Sequence, residues 1–201
     1  MKIRAACFHS PNGAPVKHRM AIRMNRISVI GTSGSGKTAF ADKLARILHI
    51  PHVELDALHW EADWIPAHRE IFRSRVREAV GAELWVVDGN YSKSARDLVW
   101  ERADAIVWFD LSFTVTIGRL MRRTIYRLMT GEERCNGNRE RLGLALSRDS
   151  IILWVLQSYK RRRMEYPLLL AAQEQRGAQT VRLHSPKEAD RWLMRLAPAR
   201  D

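Results

Sequence analysis

Apolar residues fall along this chain in short, uninterrupted runs separated by longer stretches with helical spacing. The first run, Ile27 to Ile30, ends in a glycine-rich turn and passes into a helix-like stretch, Lys37 to Leu48. Pro51 breaks the chain before a short strand, Val53 to Leu55. A helical segment from about His68 to Ala82 leads to a strongly apolar run, Leu84 to Val87, closed by Asp88-Gly89-Asn90. A further helical piece precedes Ala105 to Phe109, which ends in Asp110. Long helical patterns run from Phe113 to Met129 and from Asp149 to about Ala172. A last strand, Thr180 to Leu183, is followed by Ser185-Pro186-Lys187-Glu188, a helix start with proline in its first turn, and that helix ends near Leu196.

Continuous apolar runs that alternate with helices predict an α/β fold in which a five-stranded parallel sheet is covered on both faces. In such sheets ligands bind beyond the carboxyl ends of the strands. The polar residues just after each strand are therefore the functional candidates: Gly31 to Thr38, Asp56, Asp88 and Asp110.

Residues 1–24 depart from the pattern. They hold Pro11, Asn12, Gly13 and Pro15, show no amphipathic period and lack the apolar core of a secretory signal. This basic leader is expected to be disordered or to precede the true start at Met20 or Met24, and residues 25–201 are expected to form one domain. Composition agrees: 201 residues, 46% hydrophobic and 28% charged, suit one globular unit. No apolar run approaches the roughly 18 residues that span a bilayer. Cys7 and Cys135 lie far apart without metal-ligand spacing, which suggests free thiols and a cytoplasmic setting.

The net charge of +12 raises nucleic acid as a partner. Half of it comes from Lys2, Arg4, Lys17, Arg19, Arg23 and Arg26, in a stretch without Asp or Glu. Much of the rest lies between Arg119 and Arg163, where a phosphate-handling enzyme also needs cations. Nucleic acid is compatible with this charge and not required by it.

The strongest chemical signal is Gly31-Thr32-Ser33-Gly34-Ser35-Gly36-Lys37-Thr38, a full match to the phosphate-binding loop pattern G-x-x-x-x-G-K-[ST], placed between a predicted strand and a predicted helix. Glycines let the backbone wrap a phosphate chain so that consecutive N–H groups face its oxygens. The following helix offers its positive end to the same anion. Lys37 is expected on the β- and γ-phosphates of ATP, and the Thr38 hydroxyl on Mg²⁺.

Other candidates surround the loop. Asp88 follows a buried run and is the expected second Mg²⁺-side group; an Asx turn with Gly89 is the structural alternative. Asp56 stands at the end of the second predicted strand, placed to take a proton from an acceptor hydroxyl. His59 and Trp60 are candidates to line an acceptor pocket, or to be packing. Arg96 is a candidate fork for an acceptor phosphate or carboxylate, with a surface ion pair to Asp97 or Glu101 as the alternative. Residues 119–148 combine Arg119, Arg122, Arg123 and Arg127 at helical spacing with a turn-rich stretch, Thr130 to Arg141, that predicts no strand. This suits a mobile lid, with Arg119, Arg123 and Arg139 as the arginines expected to close on the transferring phosphate. Lys160-Arg161-Arg162-Arg163 reads as a solvated charge run on a helix.

Taken together, GTSGSGKT, ELDALHW, WVVDGNYS, RDLVW, NGNRE, SRDSIILW and RRRMEYP resemble the bacterial P-loop kinase family of DNA topology modulation proteins, often labelled adenylate kinase-like. The resemblance spans roughly Asn25 to Leu196. It implies an adenylate-kinase-like P-loop fold with flanking helices and an inserted helical lid. It further implies Asp88-Gly89 on the Mg²⁺ side, Arg119 and Arg123 at the phosphates, and His184 to Lys187 near the adenine. Adenylate kinases carry a Gly-Asp and Arg constellation for AMP after the second strand and Gly-Phe-Pro-Arg after the third. This chain has Leu55-Asp56-Ala57-Leu58-His59 and Gly89-Asn90-Tyr91-Ser92 there, closer to gluconate-kinase-like small-metabolite kinases. The resemblance thus speaks to fold more than to acceptor.

Three functions are consistent with these residues. The leading expectation is a kinase that moves the γ-phosphoryl of ATP to a small acceptor. The others are a nucleotide-dependent regulator of DNA topology and an NTPase with water as acceptor.

Overall fold

Successive side chains of a strand enter opposite faces of its sheet, so an apolar run without polar interruption has to be covered twice. The computed structural model, which describes residues 24–91, 94–140 and 151–196, the side chains of 151–154 excepted, meets that demand. The elements are β1 (Arg26–Gly31), α1 (Lys37–Leu48), β2 (His52–Glu54), α2 (Leu55–His59), a 3₁₀ turn (Ala62–Trp64), α3 (Arg69–Ala79), β3 (Trp85–Asp88), α4 (Arg96–Trp100), β4 (Ala105–Phe109), α5 (Phe113–Thr130), β5 (Glu133–Arg134), β6 (Asn138–Arg139), α6 (Ile151–Gln175), β7 (Gln179–Leu183) and α7 (Pro186–Leu196). Five strands form one parallel sheet in the order β2-β3-β1-β4-β7. On one face Ile27, Val29, Val107 and Phe109 pack with Phe40 and Leu44 of α1 and Leu193 of α7. On the other, Ile30, Trp85, Val87 and Trp108 pack with Phe72, Val76, Val99 and Tyr166 from α3, α4 and α6. Among the described residues no helix is long and apolar enough to cross a membrane.

Three sequence expectations are corrected here. Leu55 opens α2 instead of closing β2, so Asp56 stands in the first turn of a short helix. Leu84 precedes β3 and is 42% exposed, because the ladder begins where the Trp85 amide donates to the Asn25 carbonyl. The segment between α5 and α6 holds strands after all: β5 and β6 pair antiparallel, Glu133 opposite Arg139 and Arg134 opposite Asn138. Strands of two residues are too short to show an alternation, and the turn of Cys135, Asn136 and Gly137, all at positive φ, is what makes them meet. The leader apart from Met24, Ser92, Lys93 and lid residues 141–148 lie outside the described residues.

The Ser185–Glu188 helix start is built as its composition suggests. The Glu188 amide donates to Ser185 Oγ at 3.1 Å, and the Glu188 carboxylate accepts from the His184 amide at 2.7 Å. Asp110, a candidate for chemistry in the sequence, is instead a clasp. Its buried carboxylate meets Arg182 at 2.5 Å, Arg163 at 2.9 Å and His184 at 3.7 Å, and Arg182 lies 4.4 Å over the Trp108 ring. It thereby ties the end of β4 to β7 and α6. Asp110→Asn is therefore expected to lower unfolding stability by roughly 1–3 kcal/mol in urea titrations while leaving nucleotide affinity unchanged. A loss of affinity without a loss of stability would return Asp110 to the site.

Candidate functional site

Three strand ends and the helices α1, α2 and α5 build the site. β1 stops at Gly31, and the chain turns through Thr32 to Gly36 into α1. Gly34 and Gly36 sit at φ +87° and +91°, where a side chain is strained. A Cβ on Gly34 would stand 2.7 Å from the Thr116 carbonyl oxygen and 2.9 Å from Leu120 Cβ, so α5 packs directly on the loop. A Cβ on Gly36 would stand 2.6 Å from the Arg119 guanidinium. The structure thus brings Arg119 to the loop.

The loop has the features of an anion cradle. The first turn of α1 has neither a side-chain cap nor an acidic residue, so its N–H groups and positive end remain for another partner. Ser35 Oγ is buried without a hydrogen-bond partner, and Lys37 is buried. Ser33 is half-buried beside them.

The end of β3 supplies the acid. In register, Asp88 lies beside Val29 of β1 and Glu54 of β2. The Thr38 hydroxyl donates to Asp88 Oδ2. His52 Nε2 lies 3.5 Å from the other carboxylate oxygen. Burial alone would raise the Asp88 carboxyl, but the adjacent His52, the charge of Lys37 and the Thr38 hydroxyl together hold it below the usual range. Two residues on, Asn90 clasps the loop: its Nδ2 donates to the Gly31 carbonyl, and the Gly31 amide donates to its Oδ1 at 3.1 Å.

Asp56 forms a second centre on the β2 side. The Tyr91 hydroxyl donates to Asp56 Oδ1 at 2.7 Å, and burial followed by the Asp56 charge raises the phenol. Arg123, close enough to feel the charge of Asp56, has its Nε buried without a hydrogen-bond partner. Burial and then the neighbouring Arg127 push Arg123 down to about 10, against the opposing pull of Glu140 and Asp56. His59 packs edge-on to Trp60 and Phe72, with centroids 4.7 and 5.0 Å away, and tilted against Tyr91 at 4.6 Å. Arg96 lies over Trp100 at 5.5 Å and edges a small cavity shared with Gly89, Asn90 and Tyr91. Its sequence neighbour Asp97 is taken by Arg73 at 2.7 Å.

The β5–β6 hairpin is docked on the Asp56 side, over α2 and the 3₁₀ turn. Asn136 Nδ2 donates to the Trp60 carbonyl at 2.6 Å and Asn138 Nδ2 to the Glu61 carbonyl at 2.7 Å. The Trp64 amide donates to Asn138 Oδ1 at 2.7 Å, and Arg134 pairs with Glu54 at 3.3 Å. Cys135 at the turn is pushed up to about 11 by burial and then by Asp56 and Glu54. Arg139 is not gathered with the loop arginines; it is exposed and pairs with Glu133 at 2.5 Å.

Sequence reasoning passed over His52 and the two-way clasp of Asn90 on Gly31. His52 offers one signal, a polar residue in a short strand; Asn90 offers another, the Asp-Gly-Asn turn directly after β3.

No family model matches the chain, and no curated protein matches it. Solved structures do. Shikimate kinase from Bacteroides thetaiotaomicron superposes with a TM-score of 0.52 at 19% identity, over 86% of this chain and 96% of that one. Shikimate kinase from Acinetobacter baumannii in complex with shikimate gives 0.52 at 16%, over 87% and 91%. Shikimate kinase from Aquifex aeolicus gives 0.51 at 17%, over 85% and 95%. At these identities the likeness is one of fold: a P-loop kinase sheet with flanking helices.

His59 yields a prediction. Burial lowers its pKa from 6.5, opposed by Asp56, so the folded chain binds fewer protons than the unfolded one just below that value. Its contribution to stability is present above the unfolded pKa and is lost as pH falls through the window beneath it. The urea midpoint should therefore fall from pH 7 to pH 5, and His59→Phe, which keeps a ring in the aromatic cluster, should flatten that fall. Equal slopes for both proteins would contradict the assignment.

Proposed function

We propose that this chain is an ATP-dependent phosphotransferase, a small-molecule or nucleotide kinase that moves the γ-phosphoryl group of ATP to a small acceptor. One observation carries the reading: two carboxylates stand near adjacent strand ends, Asp88 engaged by the loop's Thr38 and Asp56 held by Tyr91, with Arg119 against the loop and Arg123 within electrostatic reach of Asp56. An NTPase that uses water has no need of the second centre.

In this reading residues 25–201 are the kinase domain, 1–24 a leader, and roughly 119–148 the lid. The backbone of Gly31 to Thr38 holds the triphosphate, and Lys37 and Arg119 neutralise its charge. The glycines at positive φ, the uncapped helix end and the orphaned Ser35 hydroxyl fit a phosphate chain. Thr38 and Asp88, an oxygen pair of which one member is anionic, fit Mg²⁺, which supplies charge neutralisation to the phosphates when bound. Asp56 accepts the acceptor's hydroxyl proton as that oxygen forms its bond to the γ-phosphorus. The bond from the γ-phosphorus to the bridging oxygen breaks, and ADP leaves with those electrons. Arg123 balances charge on the group in transit. In this reading His59 and Arg96 border the acceptor, and Arg139, paired with Glu133, belongs to the hairpin. A cytoplasmic location suits the free thiol of Cys135 and the need for ATP.

A second reading, a nucleotide-dependent regulator of DNA topology, takes support from the net charge of +12 and from the family resemblance. It predicts salt-sensitive DNA binding that survives removal of residues 1–24.

Labelled ATP with nucleoside monophosphates, sugars and sugar acids as acceptors tests the proposal, with Lys37→Ala as control. A labelled acceptor is expected from the native chain and not from the control. Asp56→Asn should lower transfer by roughly 10²–10⁴-fold with ATP affinity retained. Label released only as inorganic phosphate would favour the NTPase instead.

A further inference from the structure

A second basic surface lies away from the loop, on the helix layer formed by α3, α4 and α6. Between the start of α3, the length of α4 and the end of α6 opens a cleft of about 470 Å³. Arginines 69, 73, 96 and 176 line it, with Asp97 and Glu101 as its carboxylates. Arg73 is already committed. Its two terminal nitrogens donate to the two Asp97 oxygens at 3.0 and 2.7 Å, and one of them also to the Ser94 carbonyl at 3.0 Å.

The other three guanidiniums have no ion pair among the described residues. Arg96, which also edges the cavity beside Asn90, lies over the Trp100 ring at 5.5 Å, which does not neutralise its charge. Only Glu101 opposes Arg69, Arg96 and Arg176 in the cleft wall, leaving an excess of two positive charges once the Arg73–Asp97 pair is set aside.

The arrangement differs from a solvated charge run. On a convex helix face arginines diverge into water and repel weakly. Here four arginines line one concavity together with Trp100 and Leu169, and a concave wall focuses their field more than a convex face does. The volume lies in the range of small-ligand sites. Guanidinium planes match the paired oxygens of a phosphate. Binding of duplex DNA needs cations spread along a path of phosphates, and a single concavity offers no path. We propose that this cleft is a second anion site, separate from the phosphate-binding loop, for a small phosphate-bearing molecule such as pyrophosphate or a phosphate monoester.

Calorimetric titration of the full chain carrying Lys37→Ala with pyrophosphate at fixed, moderate salt tests this. One equivalent is expected to bind. Adding Arg69→Ala with Arg176→Ala should weaken it by roughly tenfold or more, whereas Arg77→Ala with Arg191→Ala, exposed arginines outside the cleft, should not. In the otherwise native chain two equivalents are expected, one of which the cleft pair removes. Urea midpoints for every variant separate lost binding from lost folding. No second equivalent, or equal losses from both arginine pairs, would overturn the proposal. So would a short DNA duplex that binds more tightly than pyrophosphate at the same salt and loses affinity with the cleft pair. Loss of the loop equivalent alone would count against the kinase reading and leave this one standing.

Discussion

The pairing of β1 with β3 is the contact on which the rest of the site depends. Its register puts Asp88 beside Val29, two residues before the loop begins, and the Gly89 amide extends the ladder onto the Val29 carbonyl at 3.2 Å. Asn90 then reaches both backbone groups of Gly31. The loop is thus held at its root by the turn that follows the neighbouring strand, and the acid that meets Thr38 comes from that same strand. A slip of one residue would turn Asp88 to the opposite face and leave Asn90 without Gly31. Each of the two clasp bonds contributes on the order of 1 kcal/mol, and their larger effect is to make loop and acid move as one.

How much of this was readable from the residues depended on the range of the physics involved. Strand positions and the loop were readable because they rest on local period and on glycine's backbone freedom. Leu55 was misplaced because its apolarity said only that it would be buried. It is buried in a helix turn, where its side chain lies over Gly89; a Cβ there would stand 2.7 Å from Leu55 Cβ. The β5–β6 hairpin was missed because its stabilising partners are the Trp60 and Glu61 carbonyls, more than seventy residues away in the chain. Asp56, Asp88 and Asp110 carried the same local signal, an acid soon after an apolar run. What divides them is long-range: Asp110 meets Arg163 and Arg182 from α6 and β7, Asp88 meets the loop, and Asp56 meets Tyr91. No local pattern encodes those pairings.

The charge distribution supplies the last link between architecture and chemistry. Burying a cation without full compensation is costly, and proteins normally avoid it or pair it off. Among the described residues several arginines are paired off: Arg26 with Asp104, Arg73 with Asp97, Arg134 with Glu54, Arg163 and Arg182 with Asp110. Around the loop it does so incompletely. Lys37 is buried, Arg119 leans on Gly36, and Arg123 is lowered to about 10 by its surroundings with a buried nitrogen left over. Lys37 and Arg123, withdrawn from water, cost stability in the free protein, and an anion that satisfies them recovers it. Such a site gains most where negative charge is greatest and most exactly placed along the reaction path, which is the condition for stabilising a phosphoryl group in transfer over one merely bound. The arginines of α5 therefore link the two centres: Arg119 stands at the glycine-rich loop and Arg123, one turn on, feels the charge of Asp56. The close packing of α5 on Gly34 and Gly36 helps to set the spacing between them.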